Sequence, residues 1–280
     1  MAVYGAKINI HQLNILAATI VLANGFSRLV DIPPRGFRIS LWNIQWSVEI
    51  GGRLLFMLLL ALLVVIGAET IFRSHPIFQE RTAGTKKQST IVHWILPGLS
   101  AFGGSTAVSL LPAGPRWWLG LVIVTALLIL SVLFEFIVID RSDSRHDPAA
   151  IGLNVLGLTL LAIIFNAVIA SSARLAFALP VIALSTIVIA FRLLNLILPY
   201  TPRMAIYAIG IGIIVTELAI PLSFLPISSI LFALILTLAT HTLAGIAQAA
   251  RGTGITRSTL LEYGFLDAIA VLLILVLVGR

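Results

Sequence analysis

The chain has 280 residues, 59% of them hydrophobic and only 10% charged, with a mean hydropathy of +1.09 and a formal net charge of +7. Soluble domains carry about 25% charged residues, so an ordinary water-soluble protein is excluded. Disorder, which needs low hydrophobicity and high charge, is excluded too. What remains is a polytopic helical membrane protein. The absence of cysteine removes disulfides, thiolate nucleophiles, iron–sulfur clusters and Cys-ligated zinc. The 18 Lys and Arg are mostly scattered between apolar runs, as membrane topology and anionic headgroups require. Membrane lipids, and not nucleic acid, are therefore the expected surroundings.

A hydrocarbon core of about 30 Å takes roughly 20 apolar residues per helix. The first candidate, Ile8–Val30, carries His11, Gln12, Asn14, Asn24 and Arg28 and is an imperfect span. Its rival reading is a signal peptide, but only Lys7 supplies a basic flank and Ala23-Asn24-Gly25 is a poor cleavage site. Next comes Asp31–Gly51, where Phe37, Ile39 and Leu41 alternate with polar residues before the parity switches to Trp42, Ile44, Trp46, Val48 and Ile50. Period-two alternation with a one-residue slip predicts two short extended stretches over 37–50, joined by a bulge or bend along the outer interface. An amphipathic seal is the reading preferred for it, with a gate or substrate lid as the alternative.

Seven clear spans follow: Gly52–Phe72, Thr90–Leu111, Trp117–Ile139, Ala149–Ser171, Ala173–Leu198, Met204–Phe224 and Ile227–Ala249. A further run, Thr259–Val278, opens on the capping box Thr259-x-x-Glu262 after the Gly252-Thr-Gly254 turn. The expectation is an all-α transmembrane bundle of about nine spans in a single domain over residues 1–280. Eight remain if the first segment is interfacial. Placing the N-terminus in the cytoplasm puts ten loop Lys and Arg on the inner side against seven outside, which sets the orientation in a plasma (inner) membrane. Arg73–Ser89 is then a solvated cytoplasmic loop. Ser100/Gly104, Ser105/Ser109 and Ala208/Gly212 are pairs of small residues at the spacing that lets helix backbones approach. Pro97, Pro180 and Pro221 should kink or break their spans.

Ionisable residues at membrane depth each need a reason. Glu69, Glu135 and Glu262 lie near helix ends, where snorkelling or capping suffices. Arg192, Glu217, His241 and Asp267 are deeper and form the candidate intramembrane polar cluster. Arg192 and Asp267 make an expected interhelical ion pair with His241 as a hydrogen-bonding neighbour, and Glu217 stands in the other half with no evident partner unless Arg174 or Arg53 reaches it. The structural reading is a buried pair; the functional one is a proton relay or ligand site.

The remaining motifs are mostly negative. Lys7, Lys86 and Lys87 are the only lysines, so no membrane-embedded Schiff base is available. There is no HExxH, no pair suited to bis-histidine haem ligation, no Walker lysine after Gly252-Thr-Gly254 and no GxSxG. Asp140-x-x-Asp143-x-x-x-Asp147 has the carboxylate spacing with which UbiA-type prenyltransferases hold magnesium and a diphosphate. However, Ile139 replaces the preceding Asn, no second aspartate-rich motif exists, and Arg141 and Arg145 neutralise two of the three charges. No cofactor or metal is expected.

Several short strings resemble an uncharacterised group of bacterial multi-pass membrane proteins known only as a domain of unknown function. They are Arg73-Ser74-His75-Pro76, His93-Trp94-Ile95-Leu96-Pro97, Pro115-Arg116-Trp117-Trp118-Leu119-Gly120, Glu135-Phe136-Ile137-Val138-Ile139-Asp140 and Leu225-Pro226-Ile227-Ser228. The resemblance covers roughly residues 50–250. It implies a membrane bundle, carries no activity, and makes Asp140–Asp147 a short charged turn before a helix. The sequence therefore reads as a non-enzymatic accessory or scaffold component associated with other membrane subunits. A small-solute or proton-coupled transporter is the alternative.

Overall fold

A computed structural model describes residues 8–29, 35–41, 44–50, 52–78, 90–171, 174–197 and 203–251, with scattered positions from 254 to 268. Eight long helices follow one another: α1 (Ile10–Leu29), α2 (Gly52–Arg73), α3 (Ile91–Leu110), α4 (Pro115–Val138), α5 (His146–Ala170), α6 (Leu175–Ile197), α7 (Arg203–Leu222) and α8 (Ser229–Arg251). All eight are long and apolar enough to cross a membrane. The seven clear spans match their expected ranges closely, and Ile8–Val30 is a helix too. The further expected run, Thr259–Val278, falls largely outside the described residues. Between α1 and α2, strands β1 (Arg35–Leu41) and β2 (Ile44–Ile50) pair antiparallel, from Arg35 opposite Ile50 to Leu41 opposite Ile44. This is the extended segment that the alternation predicts, folded as a hairpin.

Local chemistry sets the helix ends. Asn9 Oδ1 accepts from the backbone N–H groups of His11 and Gln12 at 3.1 and 3.4 Å, capping α1. Gly114 has φ +130°, a conformation that leaves Pro115 to open α4 with its fixed φ. Ser228 Oγ accepts from the Leu231 N–H at 3.3 Å and caps α8, whose far end is closed by Gly254 at φ +88° bonding back to the Ala249 carbonyl. Pro97 and Pro180 lie within continuous helices, and Pro221 sits in the last turn of α7. Pro97 and Pro180 therefore do not break their helices, since a neighbouring helix can hold a proline-containing helix together.

The chain divides into two compact units, Met1–Ala149 and Ala150–Arg280. In the first, α2 packs on α3, α3 on α4, and α1 on α2 and α4. Leu16 and Ile20 of α1, Leu60, Val64, Ala68, Ile71 and Phe72 of α2, Ala101 of α3, and Leu128, Val132 and Phe136 of α4 form one buried cluster. In a bilayer such association draws on close packing and not on the exclusion of water, so small residues mark the contacts. A Cβ at Gly104 would collide with Val124, and one at Gly67 would lie 2.7 Å from Leu16 Cδ1. In the second unit α6 packs on α7, and both contact α8. A Cβ at Gly212 would strike Ile187 and lie 3.3 Å from the Ala183 carbonyl oxygen, so the Ala208/Gly212 pair does bring two helices close.

Candidate functional site

Polar side chains gather at the end of the first unit where α2 and α4 finish and α3 and α5 begin. His93, in the first turn of α3, places Nδ1 2.8 Å from Oε2 of Glu135, three residues short of the end of α4. The Glu135 side chain is fully buried. On the next residue of α3, the Trp94 indole N–H donates to Glu69 Oε2 at 2.7 Å. Glu69 also holds Arg73 one turn further along α2. Thus two adjacent residues, His93 and Trp94, tie the start of α3 to the ends of both its neighbours.

The chain leaving α2 folds back over this pair. His75 and Phe78 continue the helix end with turn hydrogen bonds to the Phe72 and His75 carbonyls. The His75 ring packs edge-on to Phe136 at 4.7 Å, and the His93 ring stands between Phe72 and Phe78 at 5.9 and 6.4 Å. His75 is 2% exposed, and its Nδ1 accepts from the Ile77 N–H at 3.3 Å, which requires a neutral imidazole. Burial pushes its pKa below the ordinary histidine value, with nearby His93 adding to the shift while the Asp140 and Asp143 carboxylates oppose it. Two buried hydroxyls lie inward of the pair, Ser131 one turn before Glu135 and Ser100 two turns after His93. Neither Oγ has a hydrogen-bond partner among the described residues.

The Asp140–Asp147 spacing does not make a metal clamp. Asp140 Oδ1 accepts from the backbone N–H and hydroxyl of Ser142 at 2.9 and 2.7 Å, an Asx-type turn. Asp143 takes both Nε and Nη2 of Arg145 at 3.1 and 2.7 Å, and that guanidinium holds its carboxyl below the usual range. Asp147 points outward beside His146. Each acid turns to a donor one or two residues away, and among the described residues no group of three His, Asp or Glu is arranged to hold a metal ion. The stretch is a charged turn.

Of the polar cluster expected in the second unit, three members are described. Arg192 is buried in α6. His241 on α8 is half-buried, with its ring 6.1 Å from that of Tyr263. Glu217 lies on the exposed face of α7, away from the side that α7 turns to its neighbours. Asp267, and with it the expected pair to Arg192, lies outside the described residues. His93 meets Glu135 and Trp94 meets Glu69, with the His75 ring packed nearby on Phe136, and His75, His93, Trp94 and Glu135 belong to three of the strings that carry the family resemblance. Sequence reasoning missed them because Glu69 and Glu135 were each explained singly by nearness to a helix end. Laying the spans side by side in alternating direction would have put all of them at one level.

Among the described residues, eight helices in succession are long and apolar enough to cross a membrane, which suggests a multi-pass membrane protein. Residues 32–277 match the family described as "Protein of unknown function (DUF5656)", and the chain belongs to that family. The match extends beyond residues 50–250 in both directions and takes in the β1–β2 hairpin. No curated protein and no solved structure matches the chain.

Proposed function

We propose that the chain is a non-enzymatic accessory or scaffold subunit of a larger membrane assembly. One observation carries the reading: the way its acids are used. Glu69, Glu135, Asp140 and Asp143 each bind within the chain and fix a helix end or a turn. Such contacts set the mutual placement of helices, which is what a scaffold requires of its polar residues. In this reading the chain lies in a bacterial inner membrane with its N-terminus in the cytoplasm, so the polar end of the first unit faces the cytoplasm. A reporter fused at Ser89 should then be cytoplasmic. Extraction in several detergents followed by native mass spectrometry should find a stoichiometric partner, and a solitary monomer in every detergent would overturn the reading.

A second reading, a proton-coupled small-solute transporter, is favoured by the His93–Glu135 pair with the Ser131 and Ser100 hydroxyls inward of it. An imidazole bonded to a buried carboxylate can pass a proton, and unpartnered hydroxyls are where bound water would continue the path. The lack of native cysteine gives a clean test. Ser100→Cys and Ser131→Cys should react with a small water-borne thiol reagent if the seam is wet, and Ala101→Cys should not. Unreactive cysteines at both positions would remove the transporter reading and leave the scaffold standing.

A further inference from the structure

In the second unit one acid has no partner among the described residues. On α7, Met204, Ala208, Ile211, Gly212, Val215 and Ala219 are buried and form the side packed within the unit. The opposite side, read at steps of three and four, is Ile206, Ile209, Ile213, Glu217 and Ile220, all exposed. Glu217 thus stands in the middle of an apolar stripe, five residues and about 7.5 Å before the last residue of the helix. It has no hydrogen-bond or ion-pair partner among the described residues. A carboxyl facing lipid at that depth is unfavourable in either protonation state, and the energy is recovered when another group supplies a donor.

A second observation on the same stripe is independent of charge. Gly210 lies two turns before Glu217, and a Cβ built on it would meet nothing within 4 Å. Gly212, on the buried side, is small because Ile187 and the Ala183 carbonyl press against it. Among the described residues no neighbour explains Gly210, although glycine weakens a helix relative to alanine. A small residue on an outward face, with a polar residue two turns along, is the pattern by which one membrane helix receives another: close backbone approach at the first, a hydrogen bond at the second.

We propose that this face of α7 docks a transmembrane helix of a different protein, one carrying an Arg or Lys that pairs with Glu217 while its backbone crosses close to Gly210. The proposal rests on the scaffold reading and names the chemistry of the partner. A second copy of this chain fits poorly, because a twofold contact along α7 sets Glu217 against itself. Arg and Lys both supply the required charge.

The test uses the full chain in the membranes of its own cells. Ile213→Cys, the only cysteine, carries a photoreactive maleimide between Gly210 and Glu217, and the adduct is identified by peptide mass spectrometry. The expected product is a transmembrane segment of another protein containing Arg or Lys. Glu217→Lys should abolish the adduct, and changing the partner's basic residue to Glu should restore it. Gly210→Leu should also abolish it while the purified chain keeps its thermal stability, which separates loss of docking from loss of fold. An adduct with lipid alone, with a second copy, or with a helix lacking a basic residue overturns the proposal, as does an adduct that survives Glu217→Lys. A stoichiometric partner that stays bound to both variants rejects this face and leaves the scaffold reading intact, whereas no partner on the unaltered chain rejects the reading itself.

Discussion

Glu135 and Glu217 stand three and five residues before the last residues of two long apolar helices. In the first unit Glu135 faces inward, fully buried, with the His93 imidazole 2.8 Å away. In the second unit Glu217 faces outward along a row of isoleucines. The same residue type at the same kind of depth is thus a fixing point in one region and an open valence in the other. Depth alone does not assign a role to an intramembrane acid; the helix face it occupies does.

The largest effect that sharpens this contrast is expected at Glu135. Its removal leaves the partly exposed His93 imidazole without its acid, so Glu135→Leu should cost about 3 kcal/mol, read as thermal unfolding in detergent. Pairing it with His93→Phe should recover most of the loss, and purely additive losses would show that the two side chains are not coupled. Glu217→Leu in the isolated chain should be neutral or stabilising, and a loss comparable to that of Glu135→Leu would erase the distinction.

Next in size is a pair of glycines two residues apart on opposite sides of α7. Gly212→Ala forces a methyl onto Ile187 and the Ala183 carbonyl, and overpacking of this kind costs about 1–3 kcal/mol. Gly210→Ala meets open space and should raise helix stability by up to about 1 kcal/mol. Equal shifts of one sign in the purified chain would contradict the assignment of the two faces.

A third effect is a slope with pH. Because burial lowers the pKa of His75, the unfolded chain binds more protons than the folded one near and below the ordinary histidine value of about 6.5. Its contribution to stability is complete above that value and declines as pH falls toward the folded pKa. His75→Phe, which preserves the ring against Phe136, should flatten the dependence of the melting temperature between about pH 7 and pH 5. An unchanged slope would locate the acid sensitivity elsewhere. The smallest effect belongs to Arg73, whose side chain is largely exposed: Arg73→Ala should cost no more than about 0.5 kcal/mol, since its pair with Glu69 is an i,i+4 contact open to solvent.

The spans were legible because each apolar run reports its own length, and runs such as Gly52–Phe72 and Ala149–Ser171 needed no knowledge of their neighbours. The hairpin was legible for a related reason, since the alternation of Phe37, Ile39 and Leu41 is local. The His93–Glu135 contact joins residues 42 apart in sequence and depends on two helices meeting face to face, which no local pattern encodes. Glu217 was singled out from sequence as lacking a partner, but its direction was not: hydrophobicity runs all round α7, so the apolar pattern does not separate the side facing α6 from the side facing away. The small-residue spacing of Ala208 and Gly212 did mark the inner side, and that was the one available clue.

At the opposite end of the first unit, Arg28 at the close of α1 donates to the Leu111 carbonyl at 3.1 Å and lies over the Trp117 ring at 5.9 Å. Its acceptor is made 83 residues later. A ribosome adding about 5–20 residues per second needs roughly 4–17 s to cover that interval. During those seconds α1, one of the less apolar of the eight helices and carrying Asn24 in its buried face, has neither the α4 helix to pack on nor the carbonyl that anchors its last arginine. Within this chain α1 meets α2 early but gains α4 and its arginine anchor late, so a nascent chain halted before Trp117 should leave α1 more easily extracted from the bilayer than one halted after α4.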